Sequence, residues 1–451
     1  MAELLDRAGL AAGLETAGVA WRELTDAERA EFAVDGVAPS AICWPITPEE
    51  AARALAVADR LGLKVSPRGA GTKIGLGNPP RGCDIIVSTE RLAEVVDYAP
   101  ANLTVTVQAG VRLATVQSQL GNSRQFLPID PPFADRATIG GVLATNANGP
   151  RRLGYGSVRD LVIGTRSATA SGKVVKSGGR VVKNVAGYDL NKLYVGSLGT
   201  LVLLVEASFK VAPLPTEQTT VVGHFANLAG AAEASRTILH SPLLPSALDL
   251  LNSNAVKRLG APALASAGFI LAALGTAPGG ALGRQGDDFA RIFREAGATN
   301  VTVLSDSDEF WNRVSESSGD GIASGTLSMR ISVPLADVAT AIGAIQGADK
   351  KIGASAAVTA RAGTGVIFAD WNDLSGVLNG QSSLVANVLT EVRASVQKLG
   401  GALVVESCPR ELKERLDIWG DVGPAIGVMR RLKAALDPNG TLNPGRFVGG
   451  I

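Results

Sequence analysis

The chain has few of the residues that most often carry chemistry by themselves. Among its 451 residues there are two histidines and three cysteines, and aromatic residues make up only 4%. The 43 Lys and Arg residues nearly balance the 42 Asp and Glu residues, for a formal net charge of +1. No field of one sign therefore favours nucleic acid or an anionic membrane as a partner. A chain of this length exceeds what one hydrophobic core usually serves, so we expect two or three domains.

The three cysteines, Cys43, Cys83 and Cys408, are too far apart to form a CxxC motif or a recognisable disulfide framework. We expect them to be buried thiols in a reducing compartment. An iron–sulfur cluster normally needs about four thiolates, so an electron carrier of that kind would belong to a partner.

The chain also lacks a long apolar run. Its one long uncharged stretch, residues 259–283, is interrupted by prolines and hydroxyl residues, and it falls short of the roughly 20 apolar residues that span a bilayer. The first residues, MAELLDRAGLAAGLE, carry acids where a signal peptide needs basic residues. We therefore expect a cytoplasmic protein that reaches the inner face of the cell membrane, if at all, through its partners.

Helix and strand signals alternate along the chain. Residues 47–63 predict a helix, with Thr47 as its N-cap and Glu50 closing a capping box. Residues 111–121 predict another, ended by glycine. After residue 213, β-branched runs alternate with helical segments, which predicts two split βαβ units on one antiparallel sheet. The helices expected there are 227–239, 287–296 and 336–345.

Glycine is abundant, with 53 residues, and four motifs that contain it stand out. These are PRGAGTKIGLG (67–77), TIGGVLATNANGP (138–150), a basic block at 178–201, and LDPNGTLNPGRF (436–447). Glycine has no Cβ and tolerates positive φ, so such turns let a large flat ligand lie against the backbone. A strand followed by a glycine turn can also present backbone N–H groups to a pyrophosphate.

Two common nucleotide motifs fail, and a purely structural interpretation stays open. The GxGxxG pattern has Ile74 at its third glycine position, and the Gly-Lys pair that a Walker loop would need is followed by Val174. Each glycine turn could be structural, and residues 138–150 could be a tight turn plus a buried strand. Similarly, Tyr188 could be a packed residue and Arg446 could pair with a surface carboxylate.

Taken together, three blocks closely resemble one family. Residues 67–73, 129–213 and 436–447 resemble the FAD-binding core of the vanillyl-alcohol-oxidase type of FAD proteins. Within that superfamily, RVVKNVAGYDLNKLYVGSLGTL (180–201) is most similar to the FAD-binding subunits of bacterial glycolate oxidases.

The resemblance implies an α+β fold with a two-subdomain FAD-binding domain of the p-cresol methylhydroxylase (PCMH) type and a ferredoxin-like α+β cap domain. We expect the FAD-binding domain at residues 1–214 and the cap, or substrate, domain at 215–400. C-terminal helices and a loop at 401–451 would then return to the FAD-binding domain.

The resemblance also implies where FAD binds. Some relatives bond a histidine near the first turn covalently to the flavin; this block has no histidine, so we expect noncovalent FAD. The residues carried over as cofactor contacts are Pro67, Arg68, Gly69, Ala70, Gly71, Thr72, Pro131, Thr138, Gly140, Gly141, Ala144, Thr145, Tyr155, Gly156, Ser157, Asp160, Lys183, Asn184, Gly187, Tyr188, Gly199, Thr200, Val205, Asn443 and Arg446.

The catalytic residues are less defined. Flavin dehydrogenases of 2-hydroxy acids need a base and a cation, or a metal. Relatives carry histidine metal ligands in the later half, whereas this chain has only His224 and His240. A lone histidine without a partner is more often structural, so we expect no metal. The catalytic candidates are Tyr188, Arg330 and Arg446, with Arg361 and Trp371 as further pocket residues.

The resemblance thus implies the FAD-binding subunit of a glycolate oxidase or dehydrogenase complex. Such a subunit would oxidise a 2-hydroxy acid or relay its electrons to a sister FAD-binding dehydrogenase subunit and an iron–sulfur subunit. A stand-alone FAD oxidoreductase for another alcohol or hydroxy acid is an alternative, as is a structural subunit without redox function. The glycine turns argue against the last, because so many glycines are entropically unfavourable without a ligand to justify them.

Overall fold

A computed structural model describes residues 7–180, 187–261, 264, 268–276, 280–318, 326–372 and 374–451, without the side chains of residues 7 and 375–380. Within this part of the chain, helices and strands form three sheets with their covering helices, plus one two-stranded ribbon. The expected α+β class is confirmed. No helix among the described residues is long and apolar enough to cross a membrane.

The first sheet is small and mixed. Its strands run in the order β1-β2-β4-β3, with β2 and β3 both parallel to β4. The Thr47 hydroxyl accepts from the Glu50 N–H at 3.1 Å, as predicted, but the Glu50 carboxylate accepts from the Ile46 N–H, so the predicted capping box is not closed. The elements are α1 (Arg7–Thr16), β1 (Ala20–Glu23), α2 (Asp26–Phe32), β2 (Ala41–Trp44), α3 (Pro48–Arg60), β3 (Val65–Arg68) and β4 (Ile85–Ser88).

The second sheet is antiparallel, in the order β5-β6-β10-β8-β9, and two further strands, β7 and β11, pair with each other. The elements are β5 (Val95–Ala99), a 3₁₀ turn (Pro100–Asn102), β6 (Thr104–Gln108), α4 (Leu113–Gly121), β7 (Gln125–Phe126), α5 (Ile139–Thr145), α6 (Arg152–Tyr155), α7 (Val158–Leu161), β8 (Val162–Ala168), β9 (Val174–Gly178), α8 (Asn191–Tyr194), β10 (Leu203–Lys210) and β11 (Ala212–Pro213). Together with the first sheet it forms the domain that carries the glycine motifs.

The third sheet has eight antiparallel strands in the order β15-β12-β14-β13-β17-β18-β16-β19. Its last strand begins at Ala402, so the cap sheet continues beyond the predicted boundary at residue 400. The elements are β12 (Thr219–Phe225), α9 (Leu228–Leu239), β13 (Ala247–Asn252), α10 (Ser253–Arg258), β14 (Phe269–Gly275), α11 (Ala281–Glu295), β15 (Asn300–Leu304), α12 (Ser307–Ser317), β16 (Leu327–Ser332), a 3₁₀ turn (Leu335–Asp337), α13 (Val338–Ile352), β17 (Ala357–Arg361), β18 (Val366–Trp371), α14 (Ser375–Lys398) and β19 (Ala402–Ser407).

The two faces of this sheet have different partners. Helices α9, α11, α13 and α14 bury one face in the largest apolar core. Helices α10 and α12 cover part of the other face, and strands β16 to β18 turn the rest of it toward the glycine-rich domain. Trp371 lies on the helix side, where its indole donates to Asp349 at 2.9 Å. The expectation that it lines a pocket is therefore wrong.

The C-terminal segment returns to the first sheet. It contains α15 (Arg410–Lys413), α16 (Ala425–Leu436) and a 3₁₀ turn (Val448–Gly450). Between them, the chain runs beside β3: the Val65 N–H donates to Thr441 O at 2.7 Å, and the Asn443 N–H donates to Val65 O at 2.9 Å. The last glycine motif thus lies against the first one.

Candidate functional site

A cleft of about 690 Å³ lies where the four glycine motifs meet, the block at 178–201 contributing Leu198. One wall is the turn that follows β3, another is α5 with the residues before it, and a third is the C-terminal loop. The lining residues are Pro67, Arg68, Gly69, Ala70, Gly71, Thr72, Lys73, Ile74, Leu76, Pro131, Pro132, Ala137, Thr138, Gly141, Val142, Ala144, Thr145, Ala147, Leu198, Asn443 and Arg446.

Two motifs touch at Gly69. A Cβ built on Gly69 would lie 2.2 Å from the Thr138 hydroxyl oxygen, so only glycine fits there without movement. Thr138 is the N-cap of α5 and its hydroxyl accepts from the Gly141 N–H at 3.4 Å. Residues 139–145 therefore form a helix rather than the buried strand that was the alternative. Gly71, two residues on, has φ +72°, which favours glycine.

The C-terminal wall is fixed by Arg446, which is buried rather than paired at the surface. Its guanidinium donates to the carbonyl oxygens of Ile74, Leu76 and Asn78 and to the Asp35 carboxylate. These bonds hold the loop that follows the first glycine turn. Because its donors are directed at this loop and at Asp35, Arg446 shapes the cleft.

A second cavity of about 580 Å³ adjoins the cleft and shares part of its wall, including Lys73 and Thr145. Its far wall is the exposed face of the cap sheet, where Arg330 on β16 lies opposite Phe368 on β18. The lining residues are Lys73, Leu76, Pro132, Thr145, Asn146, Ala147, Asn148, Gly149, Arg152, Arg330, Arg361, Thr364, Val366, Phe368 and Glu406. The cavity therefore lies between the two halves of the molecule.

The cavity carries more cations than anions. Its lining includes four basic residues, Lys73, Arg152, Arg330 and Arg361, and one carboxylate, Glu406. The Arg330 Nε donates to Glu406 at 2.8 Å, and the Lys73 Nζ lies 3.4 Å from the other Glu406 oxygen. Burial alone would raise the pKa of Glu406, but the two cations outweigh it and hold the pKa below its usual value. Glu406 is thus an anion at neutral pH.

Several predicted cofactor residues lie away from the cleft lining. Ser157 and Asp160 bond to each other, with Ser157 Oγ donating to Asp160 at 2.6 Å. Tyr155 packs edge-on against Phe126 in a separate groove. Five other predicted residues lie behind the lining. A Cβ added to Gly140 would meet Ala109, one added to Gly199 would meet Pro67, and Gly156 has φ +86°. The Thr200 hydroxyl donates to Ser197 O, and Val205 lies in the core.

The block around Tyr188 is only partly described. Lys183 and Asn184 lie outside the described residues. Gly187 has φ +80°, and the Tyr188 side chain is 92% exposed, so the interpretation of Tyr188 as a packed residue is wrong. Tyr188 lines neither the cleft nor the cavity in the described structure.

Neither histidine lines the cleft or the cavity. His224 is buried in β12, where burial lowers its pKa and Thr302 lies 3.3 Å from its Nε2. His240 caps the end of α9, with Nδ1 2.8 Å from Arg236 O. Within the described part of the chain, no group of three or more His, Cys, Asp and Glu side chains could hold a metal.

Sequence reasoning missed most of the second cavity. Lys73 follows the predicted turn directly and could have been included. Glu406 and Arg152 gave no signal, because what brings them to Arg330 is sheet pairing and domain contact. The position of Arg330 and Phe368 on the cavity face of the sheet could have been predicted from the alternation of side chains along a strand.

Two family models match successive parts of the chain. A family model described as FAD binding domain matches residues 39–178, and one described as FAD linked oxidases, C-terminal domain, matches 214–406 and 420–447. Glycolate oxidase subunit GlcD of Bacillus subtilis (strain 168) is 28% identical over 421 residues, 91% of this chain and 89% of that protein. Glycolate oxidase subunit GlcE of Escherichia coli (strain K12) is 44% identical over 161 residues, which cover 36% of this chain and 45% of that protein.

A solved structure shows the same fold across both halves. The crystal structure of p-cresol methylhydroxylase with substrate bound superposes with a TM-score of 0.77 at 14% identity, covering 98% of this chain and 97% of that one. At this identity the likeness establishes the fold alone. It agrees with the expected two-subdomain domain followed by a cap.

Proposed function

Because the chain belongs to the FAD-linked oxidases of the vanillyl-alcohol-oxidase type, we propose that it uses FAD to oxidise a small 2-hydroxy acid and passes the electrons to partner subunits. The observation that carries this proposal is the continuity between the two spaces described above. The cleft built by the glycine motifs leads directly into a cavity that carries an excess of positive charge.

The cleft suits FAD. Gly69 and Gly71 let the turn after β3 pack directly against the Thr138 and Arg68 side chains, where a Cβ would collide, and a glycine turn after a strand can present its backbone N–H groups to a pyrophosphate. Pro67–Lys73, Thr138, Thr145 and Asn443 would hold the cofactor, noncovalently. When bound, the flavin supplies the two-electron chemistry, and the protein supplies position and electrostatics.

The cavity suits a small carboxylate. Among the described residues, the two terminal nitrogens of Arg330 have no hydrogen-bond partner, since only its Nε is bound to Glu406. A guanidinium presents parallel donors that match a carboxylate. Phe368 and Val366 supply the apolar part of the wall. A 2-hydroxy acid bound by Arg330 would lie beside the flavin cleft.

The proposed partners follow from the relatives. Two similar proteins are glycolate oxidase subunits, which supports a sister FAD-binding subunit as partner of this chain. An iron–sulfur subunit would complete electron transfer, because the three cysteines here are separate buried thiols and cannot ligate a cluster.

An electron relay without substrate oxidation is a second candidate. It is favoured by one observation: no histidine lines the described cavity, and its single carboxylate has a lowered pKa, which makes Glu406 a weak base. In that alternative the sister subunit would oxidise the acid.

Anaerobic reduction of the bound flavin distinguishes the two candidates. The purified chain with FAD is mixed with glycolate or D-lactate without oxygen, and the oxidised-flavin absorbance is followed. Bleaching in the isolated chain supports substrate oxidation here. Bleaching only when partner subunits are added supports the relay, and failure to bind FAD under any condition would contradict both.

Replacing Arg330 with methionine tests the carboxylate site. We expect binding of oxalate, an unreactive analogue, to weaken by about 10- to 100-fold, because a hydrogen bond to a charged group contributes about 1.5–3 kcal/mol. The measurement is the change in flavin spectrum during an oxalate titration. The control is Arg291→Met, since Arg291 is an exposed residue on α11 with surface ion pairs only. Equal weakening in both variants, or none in Arg330→Met, would contradict the proposed site.

A further inference from the structure

A buried cluster of charges lies behind the cavity wall. Asp249 on β13 and Arg361 on β17 are paired across neighbouring strands, and their side chains are 1% and 5% exposed. The Arg361 NH1 donates to Asp249 Oδ2, and its NH2 donates to the Ser318 hydroxyl at 2.9 Å. Arg361 also lines the cavity, whereas Asp249 does not. Asp249 therefore lies in the layer behind Arg361.

A second buried carboxylate approaches from the other domain. Asp130 Oδ2 accepts from the Arg151 N–H at 3.0 Å and lies 3.9 Å from the Arg151 guanidinium. Its Oδ1 would lie 2.5 Å from a Cβ added to Gly149, which lines the cavity. Asp130 and Arg361 are close enough for their charges to interact, as are Asp130 and Asp249.

Hydrogen bonding in this cluster is incomplete. Asp249 Oδ1, Asp130 Oδ1 and Arg361 Nε are all buried and have no partner among the described residues. Buried polar atoms are nearly always satisfied, so three orphans around one guanidinium need an explanation. Two of the three are carboxylate oxygens that lack a hydrogen-bond donor. Protonation of one of these carboxylates would remove that oxygen's need for a donor.

An anion that entered the cavity would worsen this imbalance. Its negative charge would be drawn to Arg361, which already has Asp249 as its counter-ion. Buried like charges around one cation disfavour full ionisation, and a carboxylate in that position gains a proton instead. If the ligand forms hydrogen bonds with Arg361, Asp249 is the carboxylate whose counter-ion is then shared, and we expect Asp249 to be the group that is protonated.

We propose that Asp249 is a positioning residue that takes up a proton, on Oδ1, when a carboxylate ligand bound by Arg330 also engages Arg361, since both guanidinium groups line the cavity. A monoanionic 2-hydroxy acid then enters with one proton from solvent, and the buried cluster keeps its net charge. The inference rests on the proposed carboxylate site and deepens it, since it makes binding of the acid proton-linked.

The environment of Asp249 favours its protonation. The charged groups on the elements packed around Asp249 are Arg361, Asp130, Arg151, Arg152 and Glu316, together with Lys257 and Arg258 of α10, which packs on both β13 and β17. Burial raises the pKa of Asp249 to about 6, with Arg361 opposing and Asp130 reinforcing the change. Loss of Arg361 to a ligand would raise the pKa of Asp249 further. At pH values between the pKa of Asp249 in the free protein and its pKa in the ligand-bound protein, the bound form holds up to one more proton than the free form. The affinity for the ligand therefore falls as the pH rises through this range.

Calorimetry with oxalate on the FAD-loaded protein measures the linkage directly. Titrations near pH 7 in two buffers of different ionisation enthalpy give the number of protons taken up. We expect an uptake of up to one proton per oxalate, and an affinity that falls up to tenfold per pH unit above pH 6. Oxalate binding without proton uptake would overturn the role of Asp249 and leave the carboxylate site standing. No oxalate binding at all would overturn both.

Two variants assign the proton. Asp249→Asn is expected to abolish proton uptake and to make the affinity independent of pH, whereas Asp130→Asn retains both. If Asp130→Asn abolishes uptake and Asp249→Asn retains it, the assignment to Asp249 is wrong. The wild-type measurement decides the linkage even if Asp249→Asn does not fold.

Discussion

Replacing Asp35 with alanine is expected to destabilise the protein by about 3–5 kcal/mol, because it removes the only carboxylate hydrogen-bonded to two buried cations in the described structure. The Lys413 Nζ lies 2.8 and 2.9 Å from the two Asp35 oxygens, and its side chain is 2% exposed. The Arg446 NH1 donates to Asp35 at 3.2 Å. Asp35 itself lies in a turn at φ +49°.

The same change is expected to weaken FAD binding. Lys413 also donates to Gly75 O at 2.6 Å and to Gly77 O, and Arg446 bonds to the carbonyl oxygens of the same loop. That loop supplies Ile74 and Leu76 to the wall of the cleft. Without Asp35, the two cations repel each other across the loop, so the wall loses its fixed position.

A pH dependence identifies the cause. Burial lowers the pKa of Lys413, and Asp35 is the main group that opposes this. In Asp35→Ala the pKa of Lys413 therefore falls further below its value of about 10.4 in the unfolded chain. The unfolded chain then binds more protons than the folded one, so stability rises with pH up to that value. The deficit should shrink between pH 7 and 9.5.

Urea unfolding of the two proteins at both pH values, and a flavin fluorescence titration, measure these effects. The matched control is Asp26→Ala, since Asp26 pairs with Arg29 at the surface and should change stability by no more than about 0.5 kcal/mol. A deficit in Asp35→Ala no larger than that of the control would show that the cluster does not stabilise the fold.

This cluster also marks the limit of what the sequence predicts. The glycine motif at 436–447 was identified because it is a local pattern, and its return to the FAD-binding domain was implied by the family resemblance. The partner of Arg446 was not, since Asp35 lies 411 residues away and a single acid in a turn carries no sign of its target. Arg446 was expected to be a cofactor contact and a catalytic candidate, with a surface ion pair as the alternative. It lines the cleft with its guanidinium bound to the protein itself.

The cap shows a similar division. The alternating helices and strands were predicted from their periodicity, and the antiparallel sheet is confirmed. Trp371 was placed on the wrong side of β18, although Phe368 and Trp371 are an odd number of residues apart and must face opposite sides. The cavity between the domains depends on which sheet face meets the other half, and that is set by packing that no local pattern records.

Replacing Gly69 with alanine is expected to weaken FAD binding by about 10- to 100-fold. The added Cβ would lie 2.2 Å from the Thr138 hydroxyl oxygen and 3.2 Å from the Thr138 Cβ. Threonine is stiff at χ1, and its hydroxyl accepts from the Gly141 N–H, so rotation would lose the cap of α5 at about 1 kcal/mol. Overpacking of this kind costs about 1–3 kcal/mol.

The collision is expected to weaken FAD binding because the turn can relieve it only by moving away from Thr138, and this movement changes the shape of the cleft. Bound FAD would have to restore the original position. Gly75→Ala is the matched control in the same loop, since a Cβ there meets nothing within 4 Å and its φ is not in the left-handed region. It should bind FAD as the wild type does.

Flavin fluorescence titration of both variants measures the change, and a second substitution tests its cause. Thr138→Ala removes the atom that collides with the new Cβ, so the double variant Gly69→Ala/Thr138→Ala should recover part of the affinity relative to Gly69→Ala, despite the loss of the helix cap and of the proposed Thr138 contact to FAD. Recovery would mean that Gly69 is required for space beside α5. Equal affinity in Gly69→Ala and Gly75→Ala would mean instead that the turn does not approach the cofactor, and the cleft would lose its assignment as the FAD site.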